Sequence, residues 1–288
     1  MIDPEIIGNL TQKEKLAFLS HLNGGDIWNL DLDEVLVRLV RDPSPEVRRE
    51  ALAVLADFTG LTHGALLMEL ASRDASLEVR SQAVSSLAAY VYGAVIECEL
   101  DLKEYRPVRL FLMDLVRNES EPVPVRARAI ESLAYDDDEN VSKLIEWTFA
   151  QPEPQLQLAA MAAMGHGGLE RWTGHILDHL YAEDPAMRLQ AIRAAAEACI
   201  EDATPQLRNL ALSGDREARL TAIDALAYTA GPGSLETLEL CEKSDDPEIS
   251  AAAAEAIGTY EAYRDAELDS EGFVDIEEEE EDDDDDDG

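Results

Sequence analysis

The sequence predicts an all-α fold: a right-handed α–α superhelix, or α-solenoid, of about seven helical hairpins followed by a disordered acidic tail. Three observations predict it. One short pattern occurs seven times, mostly at a spacing of 31 residues. Each return joins a helix-start signal to an apolar stripe of period 3.6. No segment of the 288 residues reads as a strand.

The pattern is clearest where Asp42-Pro43-Ser44-Pro45-Glu46-Val47-Arg48-Arg49-Glu50-Ala51-Leu52 returns as Asp74-Ala75-Ser76-Leu77-Glu78-Val79-Arg80-Ser81-Gln82-Ala83-Val84. With Val47 as the reference position, its equivalents are Val79, Val125, Leu156, Met187, Ala218 and Ile249, at steps of 32, 46, 31, 31, 31 and 31 residues. Four positions further on stands an alanine in every copy: Ala51, Ala83, Ala129, Ala160, Ala191, Ala222 and Ala253. Nine positions on, the residue is always small: Ala56, Ala88, Ala134, Gly165, Ala196, Ala227 and Gly258.

Taken in chain order, residues 1–30 supply an N-terminal capping helix, read over Thr11 to Leu22 with Gly24-Gly25 as its stop. Residues 31–260 hold the repeats. In each, a first apolar helix pattern, such as Val35, Leu36, Leu39 and Val40, precedes the start of a second helix. Ser44, Ser76, Asp184, Asp215 and Asp246 are N-cap types, and Pro45, Pro154, Pro185 and Pro247 suit the first helical turn. Glu46, Glu78, Glu217 and Glu248 then place negative charge where the helix dipole favours it. One hairpin cannot bury both its faces, so neighbours must stack. The small residues let second helices approach closely, and leucine at Ala191 or Ala222 should overpack the site. The 46-residue step contains an insertion near 91–106, whose Tyr90-Val91-Tyr92-Gly93-Ala94-Val95-Ile96 is apolar enough to predict an extended or extra helix packed on the solenoid. A binding face is the alternative for it. Residues 261–288 carry a local charge of −16, and every residue from Glu277 to Asp287 is acidic, which predicts a disordered tail.

Five copies place Arg directly after the reference position: Arg48, Arg80, Arg126, Arg188 and Arg219. With Asp-Pro-x-x-Glu-Val-Arg-x-x-Ala at 42–51, residues 30 to 260 resemble the HEAT-repeat family, and the 31-residue period resembles its short subtype named after phycobilisome lyases. The resemblance implies second helices lining a concave face, and a buried polar ladder in which turn Asp and helix Arg join neighbouring units. Asp42 with Arg48 and Asp74 with Arg80 match that pattern. Gln157 and Ser250 replace the Arg, and Pro122 and Pro124 disturb the start of unit three, so a ladder continuous through those units is not expected. The subtype also implies a bilin-lyase-like accessory role. Another relative, deoxyhypusine hydroxylase, is marked by His-Glu pairs that hold iron. This chain has no His-Glu dipeptide.

A formal net charge of −39 argues against a nucleic-acid partner, which needs a basic footprint, and against docking on anionic lipid. No basic and apolar leader and no run of about 20 apolar residues is present, so a soluble, cytoplasmic protein is expected. Cys98, Cys199 and Cys241 read as reduced core thiols. Motifs for phosphate, dinucleotide or acyl-transfer chemistry are missing, and no cofactor, metal or catalytic residue is expected. His175 and His179 lack the zincin glutamate and read as surface histidines; Asp136-Asp137-Asp138 lacks a calcium loop's spacing and reads as a solvated turn.

On each second helix, offsets three, six and ten fall opposite the buried stripe and should face the groove. The candidate binding residues are therefore Arg128, Glu131, Tyr135, His166, Gln190, Arg193, Glu197, Asp224 and Tyr228, with an ordinary polar face as the alternative. The function expected is a non-enzymatic interaction scaffold or adaptor, a monomer holding a protein or peptide in its concave groove. The alternatives are the bilin-lyase-like subunit and an acidic chaperone or neutraliser of a basic protein. The acidity itself has two readings, attraction of a basic partner or general salt adaptation.

Overall fold

The structure is a computed structural model that describes residues 7–23, 32–58, 62–97 and 100–274, with only the backbone at 23, 57–58 and 265–274. Gly24-Gly25, Cys98 and the acidic run from 275 onward lie outside the described residues. Every long element among the described residues is an α-helix. The helix starts follow the cap residues: Ser76 Oγ accepts from the Val79 amide, Asp184 from Met187 and Asp215 from Ala218.

The chain divides into two compact units, Met1–Leu169 and Glu170–Gly288. In the first, α1 (Gln12–Asn23) precedes hairpins α2 (Asp33–Leu39) with α3 (Pro45–Phe58) and α4 (Gly64–Arg73) with α5 (Leu77–Ser86). An added helix α6 (Ala88–Val95) follows, then α7 (Leu102–Arg117) with α8 (Val123–Ser132) and α9 (Glu139–Phe149) with α10 (Pro154–His166). Helices α1, α3, α5, α8 and α10 pack in that order as one layer, and each first helix packs on the second helix of its own hairpin. In the second unit, α11 (Thr173–His179) pairs with α12 (Pro185–Glu197), α13 (Thr204–Ser213) with α14 (Arg216–Thr229), and α15 (Ser234–Glu242) with α16 (Pro247–Val274). There α12, α14 and α16 form the layer of second helices. Each unit is an α-solenoid. Among the described residues no helix is long and apolar enough to cross a membrane.

The seven alanines at offset four are all completely buried. At offset nine, Ala134, Gly165, Ala196 and Ala227 are buried and Ala56 and Ala88 half-buried, but Gly258 is exposed and a Cβ there would meet nothing within 4 Å. Close approach therefore does not require the glycine of the seventh copy, since no later helix stacks on α16 among the described residues.

The residue just after the reference position has one task in all seven copies: it donates to the carbonyl end of its own hairpin's first helix or the turn after it. Arg48 reaches Asp42 O at 2.9 Å, Arg80 Ala71 O at 2.8 Å, Arg126 Val116 O at 3.0 Å, Arg188 Ala182 O at 3.0 Å and Arg219 Ala211 O at 3.0 Å. Gln157 reaches Gln151 O at 2.9 Å, and Ser250 reaches Glu242 O at 2.6 Å. These side chains satisfy carbonyls that a helix end leaves without partners.

The ladder is a second layer of interaction, and its acids belong to the following repeat. Lys15 of α1 meets Asp42 at 2.7 Å, Arg48 meets Asp74 at 2.7 Å, and Arg80 meets Glu121. Gln151 occupies the acid position of unit four, and among the described residues no carboxylate pairs with the buried Arg126, whose guanidinium lies 6.0 Å from the Trp147 ring. In the second unit Arg188 meets Asp215 at 2.6 Å, and Arg216 pairs with Asp246 and Glu248. Pro122 and Pro124 do not disturb the start of α8; they sit at its cap and first turn, where a missing amide hydrogen costs nothing.

Three other expectations change. Asp136 is buried rather than solvated: it accepts from the Tyr105 hydroxyl and lies 2.8 Å from Arg109 Nε, while Asp138 caps α9. Cys241 is buried, but Cys199 is exposed, because the chain leaves α12 through a left-handed turn that places this residue at φ 49°. Helix α16 continues beyond 261 to Val274, through a stretch where Ala262, Tyr263, Arg264 and Ala266 break up the acids.

Candidate functional site

The outward offsets of the second helices line two clefts, one within each unit. In the first unit Arg128, Glu131 and Ser132 of α8, Tyr135 just after it, His166 at the end of α10, and Ser85 and Ala88 border a cleft of about 190 Å³. Arg128 forms an ion pair with Glu131 one turn along. Ser132 Oγ lies 3.0 Å from Val84 O and 2.8 Å from Arg128 O, fixing α8 against α5. Tyr135 meets Tyr92 of α6 edge to face, with ring centroids 5.1 Å apart.

In the second unit the cleft is about 580 Å³. Arg193, Ala196, Glu197 and Cys199 of α12 and its end form one side; Leu220, Thr221, Asp224 and Tyr228 of α14 form the floor; Tyr263 of α16 closes the other side. Tyr228 and Tyr263 also meet edge to face, 5.4 Å between centroids. Partial desolvation on the cleft floor, and then the Glu255 charge, hold the Asp224 carboxyl above its ordinary value although the residue stays solvent-accessible. The Asp224 charge, followed by burial, raises the Tyr228 hydroxyl.

Four expected residues, Arg128, Glu131, Tyr135 and His166, thus come together in one cleft, and Arg193, Glu197, Asp224 and Tyr228 in the other. Gln190 lines neither; it is half-buried one turn before Arg193. Sequence reasoning missed Tyr92, Cys199 and Tyr263. For Tyr263 a signal existed, since it stands one turn beyond offset ten on the same stripe of α16. Tyr92 lies in the insertion, outside the repeat register, and nothing in the spacing points to it.

The larger cleft places no histidine beside Cys199. His175 is exposed, and His179 Nδ1 lies 2.7 Å from the His175 carbonyl. Among the described residues no group of three or more His, Cys, Asp or Glu is placed to hold a metal ion.

A family model described as HEAT repeats matches residues 31–93 and 173–258, just over half of the chain. No curated protein matches the chain. Among solved structures, human deoxyhypusine hydroxylase in complex with glycerol aligns at 16% identity over 90% of this chain and 96% of its own, with a TM-score of 0.39. One engineered protein aligns at 22% identity over 90% of this chain and 79% of its own, with a TM-score of 0.42. Another aligns at 18% identity over 79% and 95%, with a TM-score of 0.40.

Proposed function

Since the chain belongs to the HEAT-repeat family, we propose that it is a non-enzymatic interaction scaffold, holding a protein or peptide against the outward faces of its second helices. The observation that carries this reading is that residues from successive second helices gather in clefts of tyrosine, arginine and carboxylate. Tyrosine and arginine are the types that anchor interfaces, because each offers large contact area together with directional polar groups. Both clefts are open, and many of their lining side chains are exposed, including Arg128, Arg193, Glu197, Asp224 and Tyr263. That suits a polypeptide, which brings its own surface to complete the enclosure.

The test is affinity capture with wild type and two double variants, Arg128→Ala with Tyr135→Ala and Arg193→Ala with Tyr228→Ala, read by quantitative mass spectrometry. At least one pair should remove specific partners from the captured set. Recovery unchanged by both pairs overturns the reading.

A further inference from the structure

At offsets three, six and ten of their central helices, α8 and α14, the two clefts share a plan and differ at one of the three positions. Offset six carries a carboxylate in both, Glu131 and Asp224, and offset ten carries a tyrosine in both, Tyr135 and Tyr228. Each tyrosine packs edge to face with a second tyrosine supplied from outside the regular repeat positions. At offset three the first cleft has Arg128, which pairs with Glu131; the second has Thr221, whose hydroxyl donates to the Glu217 carbonyl of its own helix instead. Among the described residues Asp224 has no cationic partner, and Glu255 crowds it with a like charge.

Resting on the scaffold reading, we propose that the second cleft is a receptor for a basic side chain of a partner, an arginine or lysine that enters beside Thr221 and lies between Asp224 and the Tyr228–Tyr263 pair. The incoming cation takes the place that Arg128 fills in the first cleft. Tyrosine faces attract a cation through their ring quadrupole, and a carboxylate already costly to keep charged gains most from its arrival. Charge decides between occupants. Glu197, Asp224 and Glu255 outweigh Arg193 here, so the chain's own acidic end is repelled, whereas a basic segment is drawn in by the cleft and by the −39 total. Arg193, on the opposite side, is left to meet a carbonyl or carboxylate of the same segment.

The experiment uses the full chain and a fluorescein-labelled Arg-Gly-Ser repeat peptide, with the citrulline version as a neutral isostere, followed by anisotropy at physiological salt. The citrulline peptide should bind at least about tenfold more weakly. Tyr228→Ala with Tyr263→Ala changes no charge and should cost about tenfold, the sum of two exposed cation–π contacts. Tyr228→Phe, which keeps the ring, should bind like wild type. Thr221→Arg supplies the cation from within and should also cost about tenfold. Saturating peptide should slow alkylation of Cys199 at the cleft edge. Equal binding by wild type, Thr221→Arg and the double tyrosine variant, or no protection of Cys199, overturns the proposal and assigns the affinity to diffuse charge. No binding to wild type overturns it as well. Partner capture that survives Thr221→Arg but is lost with Arg193→Ala and Tyr228→Ala keeps the scaffold and rejects the basic receptor.

Discussion

The two units solve the same problem with different margins. In the first, the ladder is sunk: the Arg48 and Asp74 side chains are 14% and 6% exposed, and Lys15 and Asp42 10% and 9%. In the second, each rung reaches the surface on one side: Arg188 is 18% exposed but its Asp215 55%, and Arg216 56% against 27% for Asp246. The clefts follow the same division, 190 Å³ with its carboxylate neutralised against 580 Å³ with a carboxylate left open. One repeat pattern therefore yields a region whose charge pairs are sunk and a region whose charge pairs reach the surface.

The strongest way to break that contrast is to remove one rung from each unit. Arg48→Ala leaves the sunken Asp74 carboxylate without its cation, held by the Ser76 amide alone, and should cost about 3 kcal/mol, whereas Arg216→Ala should cost no more than about 1 kcal/mol. Urea denaturation with hydrogen exchange across α3 to α5 and α14 to α16 reads both, and equal losses would erase the distinction. The pH dependence sharpens it. Burial alone would raise the Asp74 carboxyl, but the Arg48 hydrogen bonds, the Ser76 amide and the Arg48 charge hold it below its ordinary value. Its contribution is complete above the unfolded value near about 4 and is lost as pH falls through the lower folded value. In Arg48→Ala only the effect of burial and the Ser76 amide remain, so the deficit of the variant should shrink on acidification below about pH 4.

Next in size are the packing positions. Ala129→Leu and Ala222→Leu should each cost about 1–3 kcal/mol or more, one in each unit, by forcing neighbouring second helices apart. Gly258→Ala should instead stabilise by up to about 1 kcal/mol, because the helix gains a better former and the added methyl meets nothing. Thermal melting separates these signs. Smallest is Asp224→Asn. Its carboxyl sits above the ordinary value, so the folded state favours the protonated form and loses stability as pH rises through that range. The variant should be more stable at neutral pH by no more than about 0.5 kcal/mol after screening by solvent, and the gain should vanish near pH 3.

What the sequence made legible follows from what must be regular. The alanines at offset four are fully buried in every second helix, so one constraint acts seven times and shows as a repeat. The outward stripe was legible for the same reason, and eight of nine candidate residues line a cleft. Tyr92 and Cys199 were not readable, because an insertion and a left-handed turn obey no period. Gly258 shares the repeat position but not its constraint, because among the described residues nothing packs against it. The resemblance implied the ladder but not its direction, since residue spacing alone cannot say which repeat's acid a long arginine will reach.

The contact made just after each reference residue has a further consequence. Arginine, glutamine and serine all clasp a carbonyl within their own hairpin, so the angle between its two helices is set without consulting a neighbour. A hairpin of this kind can be copied, lost or transplanted whole and keep its shape. The ion-pair rungs cannot, because each is addressed to the hairpin after it. Growth of such an array by duplication would conserve the clasp and leave charge matching between copies to be re-established, which is the pattern of intact clasps and interrupted rungs seen along this chain.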